Sequence, residues 1–367
     1  MTSPTEIFIN GRFLCQRATG VQRVARQFTL ALDQLLAEGK FPSVNVRILA
    51  PEGADVASLG LRRIQAECFG RSKGHFWEQI SLTRRVGRER LLCLGNTAPI
   101  LSLALSSKVA VMLHDQSYRL YPADYSRLYR LVHGAMGPWI LKLARPLITV
   151  SEAEKANIIA THPGQNLDIV VAPNGSWERD ALVDVQPYQD RMEHGLGIFV
   201  GGVADRKNID GALAAAAAMA ELGHNFIFVG NPTPRSDAFL AKLSDEVRAR
   251  INFTGFISNE DLEELYQRAA YLLYPSFYEA SGLPPSEAMI FGCPVVVSDL
   301  PVMRERCGDA AIYCDPSDHA SIIAAARKIV DNPLEGNRLS QLGQQQVRQF
   351  TWRNQALIIM HALGIGE

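Results

Sequence analysis

The sequence predicts an α/β protein built from two Rossmann-like, doubly wound domains with parallel sheets. Three observations carry that expectation. At 367 residues the chain exceeds what one ordinary core holds, so two domains are expected. Short runs rich in Val, Ile, Leu and Phe alternate with longer stretches of helical spacing, the pattern of strand–helix–strand units. Those runs are nearly continuous in apolar residues, which suits strands buried on both faces of a parallel sheet.

In chain order, strands are expected at 6–10, 44–50, 91–96, 108–115, 147–151 and 169–172, with amphipathic helices at 21–36 and 76–86 among them. The second half repeats the pattern at 197–201, 225–230, 251–256, 271–275, 294–298 and 311–314. Between the halves lies a polar stretch with Gly175, Pro187 and mixed charges, read as a linker. The domains are therefore placed at 1–175 and 196–350, with 176–195 joining them. Open α/β sheets bind ligands beyond the carboxyl ends of their strands, so a cleft between the two domains is the expected site.

Composition narrows the class. The chain is 47% hydrophobic and 20% charged with a formal net charge of -1, which argues against a general nucleic-acid binder. Residues 1–9 lack the basic start and long apolar run of a signal peptide. The best membrane-spanning candidate, 139–150, is interrupted by Lys142, Arg145 and Pro146 and is too short. The alanine-rich stretch 212–220 reads as a buried helix. Six cysteines without a Cys-x-x-Cys pair read as reduced, mostly buried residues of a cytoplasmic protein. The eight histidines are scattered, and neither a metal site nor a cofactor is expected.

Four segments carry chemistry. The first, 274–299, reads as strand, loop, helix, turn and strand. Pro284 and Pro285 suit the opening of a helix, where a missing N–H costs nothing. Backbone N–H groups of Ser281, Gly282 and Leu283 would then face outward as an anion site for a diphosphate. Glu287, expected in the first turn, could accept bonds from ribose hydroxyls or simply complement the helix dipole. Glu279, eight residues earlier, is either a donor-site group or a solvated loop charge. The second segment, 198–213, runs from a strand through Gly201-Gly202 to Arg206-Lys207-Asn208, placing two cations where a leaving phosphate's charge can be neutralised. It lacks a full Gly-x-Gly-x-x-Gly fingerprint, which disfavours a dinucleotide cofactor. In the third, Ala18-Thr19-Gly20-Val21 opens a helix after the first strand, and Gly20 permits close approach of a ligand. In the fourth, His114 and Asp115 end a buried strand.

Taken together, these segments resemble the retaining glycosyltransferases of family 4, which have the two-domain GT-B fold. The resemblance runs in order through TGVQR, WEQ at 77–79, GNTAP at 95–99, His114-Asp115, TVSE at 149–152, VAPNG at 171–175, VGGVADRKN, TGFIS at 254–258, EASGLPPSE and the closing FTW at 350–352. It implies that Arg206 and Lys207 bind the donor diphosphate, Lys207 fitting the family's Lys-Asn context better. Glu279 would lie near the donor sugar, Glu287 would hold the ribose, and His114 would contact the sugar near its anomeric carbon. Backbone at Phe256 and Ile257 would meet the base, and a helix over 351–367 would cross back onto the first domain. One departure counts: many relatives carry an arginine just after the strand-end glycines, where this chain has Val203. WEQ and GNTAP are similar to a mannosyltransferase-like subgroup of exopolysaccharide or O-antigen assembly.

The implied activity is metal-independent transfer of a hexose, mannose as first guess, from a nucleotide-sugar donor to a saccharide or lipid-linked acceptor. Thr19 and Asp115 are further candidates for the site. Arg84, Arg85, Arg88 and Arg90 offer either a peripheral contact to the membrane's inner face or a solvated helix face. The rival readings are a GT-B nucleotide-sugar epimerase and a catalytically inactive sugar-nucleotide-binding scaffold.

Overall fold

The computed structural model describes residues 4–16, 19–106, 108–177, 188–192, 195–202 and 204–366. The chain divides into two compact units, Met1–Gly175 with Phe350–Glu367, and Ser176–Gln349.

The first unit is a seven-stranded sheet of β1 (Thr5–Asn10), β2 (Val44–Ala50), β3 (Gln65–Cys68), β4 (Arg90–Cys93), β5 (Val109–Met112), β6 (Leu147–Thr149) and β7 (Ile169–Val171). Its order is β3-β2-β1-β4-β5-β6-β7, with every pairing parallel. The second holds six strands, β8 (Gly197–Val200), β9 (Phe226–Val229), β10 (Ile251–Gly255), β11 (Tyr271–Tyr274), β12 (Val295–Ser298) and β13 (Ala311–Cys314). These run in the order β10-β9-β8-β11-β12-β13, again all parallel. Both sheets wind outward from their first strand and then resume on its other side. The reversals leave switch points between β1 and β4 and between β8 and β11, where loops diverge and ligands bind in this fold class.

All strands except β3 match expected runs. β3 has the sequence QAEC with mostly exposed residues, so it carries no apolar signal. Its position is set from elsewhere, because the buried Asp33 carboxylate accepts the backbone N–H groups of Arg62, Arg63 and Ile64 at 2.7–2.8 Å. The expected strands at 91–96 and 108–115 end earlier in the structure, at Cys93 and Met112, and Asn96 turns the chain after the first with a left-handed φ of 61°.

Helix α1 (Gly20–Ala37) buries Val24, Ala25, Phe28, Leu32, Leu35 and Leu36, one face at helical spacing. Helix α2 (Ile209–Glu221) buries Ala212, Ala215, Ala216 and Ala220, confirming the alanine-rich stretch as a core helix. Helix α3 (Leu283–Ile290) follows β11, and helix α4 (Trp352–Ala362) packs on α1 inside the first unit. Helix α4 is also tied down by Gln355 Nε2, which donates to Ala172 O at 3.1 Å and Asn174 Oδ1 at 2.7 Å.

Of the stretch read as linker, only residues 176–177, 188–192 and 195 are among those described. Tyr188–Met192 is not linker but a helical turn of the second unit. Tyr188 is 2% exposed and Arg191 donates to the carbonyls of Tyr266, Ala269 and Phe291. The turn's polar residues Gln189, Asp190 and Arg191 mask the buried Tyr188 in the sequence. Cys93, Cys293, Cys307 and Cys314 are buried, Cys15 and Cys68 exposed, and all six are free.

Candidate active site

In the second unit the loops after β8 and β11 flank the switch point and are joined. Phe277 N donates to Arg206 O at 2.8 Å. Asn208 adopts φ 54°, donates through Nδ2 to Pro275 O at 3.0 Å and Pro316 O at 2.7 Å, and caps α2 by accepting from Gly211 N at 3.1 Å. This one side chain fixes the cation-bearing turn against the glutamate-bearing loop.

On that frame Lys207 Nζ lies 2.5 Å from Glu279 Oε1 and 2.5 Å from Tyr274 Oη, and Tyr274 Oη donates to the same Oε1 at 2.9 Å. The side chains of Lys207 and Glu279 are 14% and 11% exposed. Burial pushes the Glu279 carboxyl up, but Lys207, then Arg206, and the two hydrogen bonds outweigh it and hold the group below the usual carboxylate range. Burial and the Glu279 charge raise Tyr274 well above its ordinary value, so it serves as a neutral donor. Glu279 is thus an ionised, enclosed partner of two cations rather than a solvated loop charge.

Gly282 starts α3 in the left-handed region, φ 65° and ψ 45°, and a Cβ there would meet Met303 Sδ at 3.2 Å. Only glycine suits both demands. Because the helix begins at Leu283, Glu287 is its fifth residue, and the expectation of a first-turn position is corrected. It is 3% exposed and accepts from Tyr266 Oη at 3.1 Å. A simple helix-dipole role loses its basis at that depth. Ser281 and Leu283 are half-buried beside Gly282. Phe256, at the carboxyl end of β10, is 73% exposed, with Ile257 half-buried next to it.

In the first unit, His114 follows β5, is buried, and places its Nε2 2.8 Å from Leu94 O, so that nitrogen must carry the proton. Burial lowers its pKa, and the Leu94 carbonyl opposes that only in part. The ring is therefore neutral near pH 7, with Nδ1 as an acceptor. Asp115 Oδ1 accepts from Ser117 N at 3.0 Å and Ser117 Oγ at 2.6 Å, which engages that oxygen in a local turn. Gly20 opens α1 with nothing within 4 Å of a built Cβ, and Thr19 is exposed and pairs with Gln22. Ala18 and Val203 lie outside the described residues.

Residue reading alone did not single out four groups. Tyr274, Tyr266 and Asn208 orient the charged residues, and Glu78 of the WEQ segment is fully buried. Glu78 Oε1 accepts from Asn10 Nδ2 at 2.6 Å and Thr97 Oγ1 at 2.9 Å and lies 3.3 Å from Arg12 Nε, while His75 Nδ1 sits 3.2 Å from Oε2. Burial opposes its charge, yet His75, Arg12, Thr97 and Asn10 hold it below the ordinary carboxylate range. Position in a motif was the only signal available for it.

Residues 186–346 match the family described as glycosyl transferases group 1. The O-antigen chain mannosyltransferase B of Escherichia coli is 30% identical over 228 residues, 58% of this chain and 59% of that protein. The O-antigen chain mannosyltransferase RfbU of Salmonella typhimurium is 26% identical over 260 residues, 70% of each. Among solved structures, the sucrose-phosphate synthase of Thermosynechococcus elongatus superposes with TM-score 0.71 at 19% identity, covering 97% of this chain and 98% of that one. WaaG, a glycosyltransferase involved in lipopolysaccharide biosynthesis, superposes at 0.66 and 17% identity over 98% and 99%. Alr3699/HepE of Anabaena, in complex with UDP-glucose, does so at 0.64 and 15% identity over 97% and 99%. The fold is GT-B. The family match takes in Lys207, Glu279 and Glu287 and fills most of the second unit, which is therefore similar to a group 1 glycosyltransferase domain.

Proposed function

We propose that this protein is a retaining, metal-independent hexosyltransferase. It moves a hexose, mannose as first choice, from a nucleotide diphosphate sugar to a saccharide or lipid-linked saccharide in polysaccharide biosynthesis. The observation that carries the reading is the Lys207–Glu279–Tyr274 cluster at the β8/β11 switch point. It sets a fixed cation, with Arg206 near, where a diphosphate meets the start of α3. The O-antigen mannosyltransferases support the sugar and pathway, and the UDP-glucose in the HepE structure supports the donor class.

Each residue then has a task. Arg206 and Lys207 neutralise the diphosphate, Lys207 exchanging part of its contact with Glu279 for phosphate oxygens. Backbone of Ser281, Gly282 and Leu283 meets the phosphates. Glu279 accepts from donor-sugar hydroxyls, Glu287 from the ribose, and Phe256 with Ile257 borders the base. His114 presents its neutral Nδ1 to a sugar hydroxyl, with Gly20 and Thr19 bordering the ligand. In the transfer, the anomeric carbon–phosphate oxygen bond breaks as the carbon bonds to the acceptor oxygen on the same face. The acceptor's proton passes to the departing phosphate, so no enzyme carboxylate is required as nucleophile. This differs from the paired acids of glycosidases.

A screen of UDP-, GDP-, ADP- and dTDP-sugars by thermal shift identifies the donor, with about 2.7 kcal/mol of stabilisation at a hundred times its dissociation constant. Product analysis by nuclear magnetic resonance should show the donor's anomeric configuration, with turnover intact in EDTA. An inverted product refutes retention, and activity that EDTA abolishes and Mn²⁺ restores refutes metal independence. Stabilisation with neither transfer nor hydrolysis would identify the scaffold instead.

A further inference from the structure

The helix Arg127–Leu143 of the first unit is amphipathic with an apolar outer face. Inward it buries His133, Met136, Ile140 and Leu141. Outward it exposes Leu128 at 69%, Leu131 at 70% and Trp139 at 47%, together with Gly134, Ala135 and Pro138. At about 100° per residue these positions fall within roughly 140° of arc, so they form one stripe along the helix. The helix Ile100–Leu105 packs beside it and exposes Leu101 at 54% and Leu105 at 59%. Single exposed apolar residues need no explanation, but a contiguous stripe of large ones marks a binding face.

Charge identifies the occupant. The helix carries Arg127, Arg130 and Lys142 and no acidic residue. Across residues 71–145 there are twelve Lys and Arg against four Asp and Glu, in a chain that holds 37 against 38 overall. Exposed Arg127 and Lys142 stand at the two ends of the stripe. Apolar residues ending in a tryptophan, with cations at the margins, match an interface of headgroups over acyl chains. Two copies pairing through this face would bring like charges together. No helix among the described residues is long and apolar enough to cross a membrane, so the contact lies in the interface plane.

We propose that the outer face of Arg127–Leu143, extended by Leu101 and Leu105, seats this protein on an anionic lipid bilayer. Its residues are distinct from Arg84, Arg85, Arg88 and Arg90, the first two of which lie on the helix Thr83–Val86 beside Ile100–Leu105. Of those, Arg85 is engaged by Glu67 at 2.6 Å and Arg90 by Leu363 O at 2.7 Å, leaving Arg84 and Arg88 exposed. The inference does not depend on the proposed reaction.

Flotation of the full chain with vesicles tests it. One set is phosphatidylcholine alone and the other contains one quarter phosphatidylglycerol, each at low and high salt. The chain should partition to the anionic vesicles about tenfold more strongly than to neutral ones, with the preference weakened by salt. Leu128→Gln/Leu131→Gln/Trp139→Gln should lower that binding about tenfold or more with an unchanged circular dichroism spectrum. Arg127→Gln/Lys142→Gln should lose the anionic preference, and Leu334→Gln, a 77% exposed site in the second unit, should bind as wild type. Absence of wild-type binding at low salt, or undiminished binding by the triple variant, overturns the proposal. So does equal binding to both vesicle types, or self-association in solution that the triple variant abolishes.

Discussion

Lys207 has two partners in the free protein, Glu279 and Tyr274, and on the proposed reading it gives up part of that contact to a phosphate oxygen. Lys207→Ala should lower kcat on the order of a hundredfold with a smaller rise in KM, because the charge it meets develops as the bond breaks. The same change leaves Glu279 enclosed without its nearest cation, a loss of about 3 kcal/mol in stability. Lys207→Ala/Glu279→Gln should recover much of that stability but not the turnover, and steady-state kinetics beside urea unfolding separates the two effects. A change in KM alone would make Lys207 a ground-state anchor. The buried glutamates also set the acid response. Glu78 and Glu279 both titrate below their ordinary value of 4.5 when folded. Their contribution is therefore complete above about pH 4.5 and is lost as pH falls through the folded values. Urea unfolding followed downward from about pH 6 should show that decline, and Glu78→Gln should flatten it.

At the scale of elements, the starts of two helices make opposite predictions. Gly282 is demanded by its own fold, through a left-handed φ and a close Met303, so Gly282→Ala should cost about 1–2 kcal/mol and shift α3. Gly20 faces open space, so Gly20→Ala should leave stability within about 0.5 kcal/mol. Any fall in donor affinity from Gly20→Ala then reports a ligand that approaches the backbone, and unchanged affinity removes Gly20 from the site. Calorimetry and nucleotide titration on the same samples distinguish the cases.

For the molecule as a whole, the carboxy-terminal residues belong to the first unit although the whole of the second lies between. Helix α4 buries Trp352, Ile359 and Met360 within that unit, at roughly 1.5–3 kcal/mol for each large side chain. Their sum rivals the stability of an ordinary domain. Truncation after Gln349 should therefore unfold the first unit and spare the second. Limited proteolysis should then yield a protected fragment near 176–349, and two intact units after truncation would contradict it.

The alternation of apolar runs with helical spacing was sufficient for two parallel sheets, because a strand covered on both faces must be apolar throughout. Residue chemistry and motif order together pointed to Lys207 after a strand, Glu279 in a loop and Glu287 near the start of a helix. What periodicity cannot register is a contact between distant residues. β3 is placed by Asp33, thirty-odd positions earlier, and Glu78 is ionised by groups from β1, the β4 loop and its own helix. Tyr274 and Asn208 looked like an ordinary strand end and turn until folding set them on Glu279 and Pro275. Glu287's depth depended on the single left-handed residue Gly282, which decides where α3 begins. Local sequence determined which segments became strands and helices, since that choice rests on side-chain period. Tertiary structure alone decided which charges are enclosed and paired, because burial and Coulomb attraction depend on distance in space.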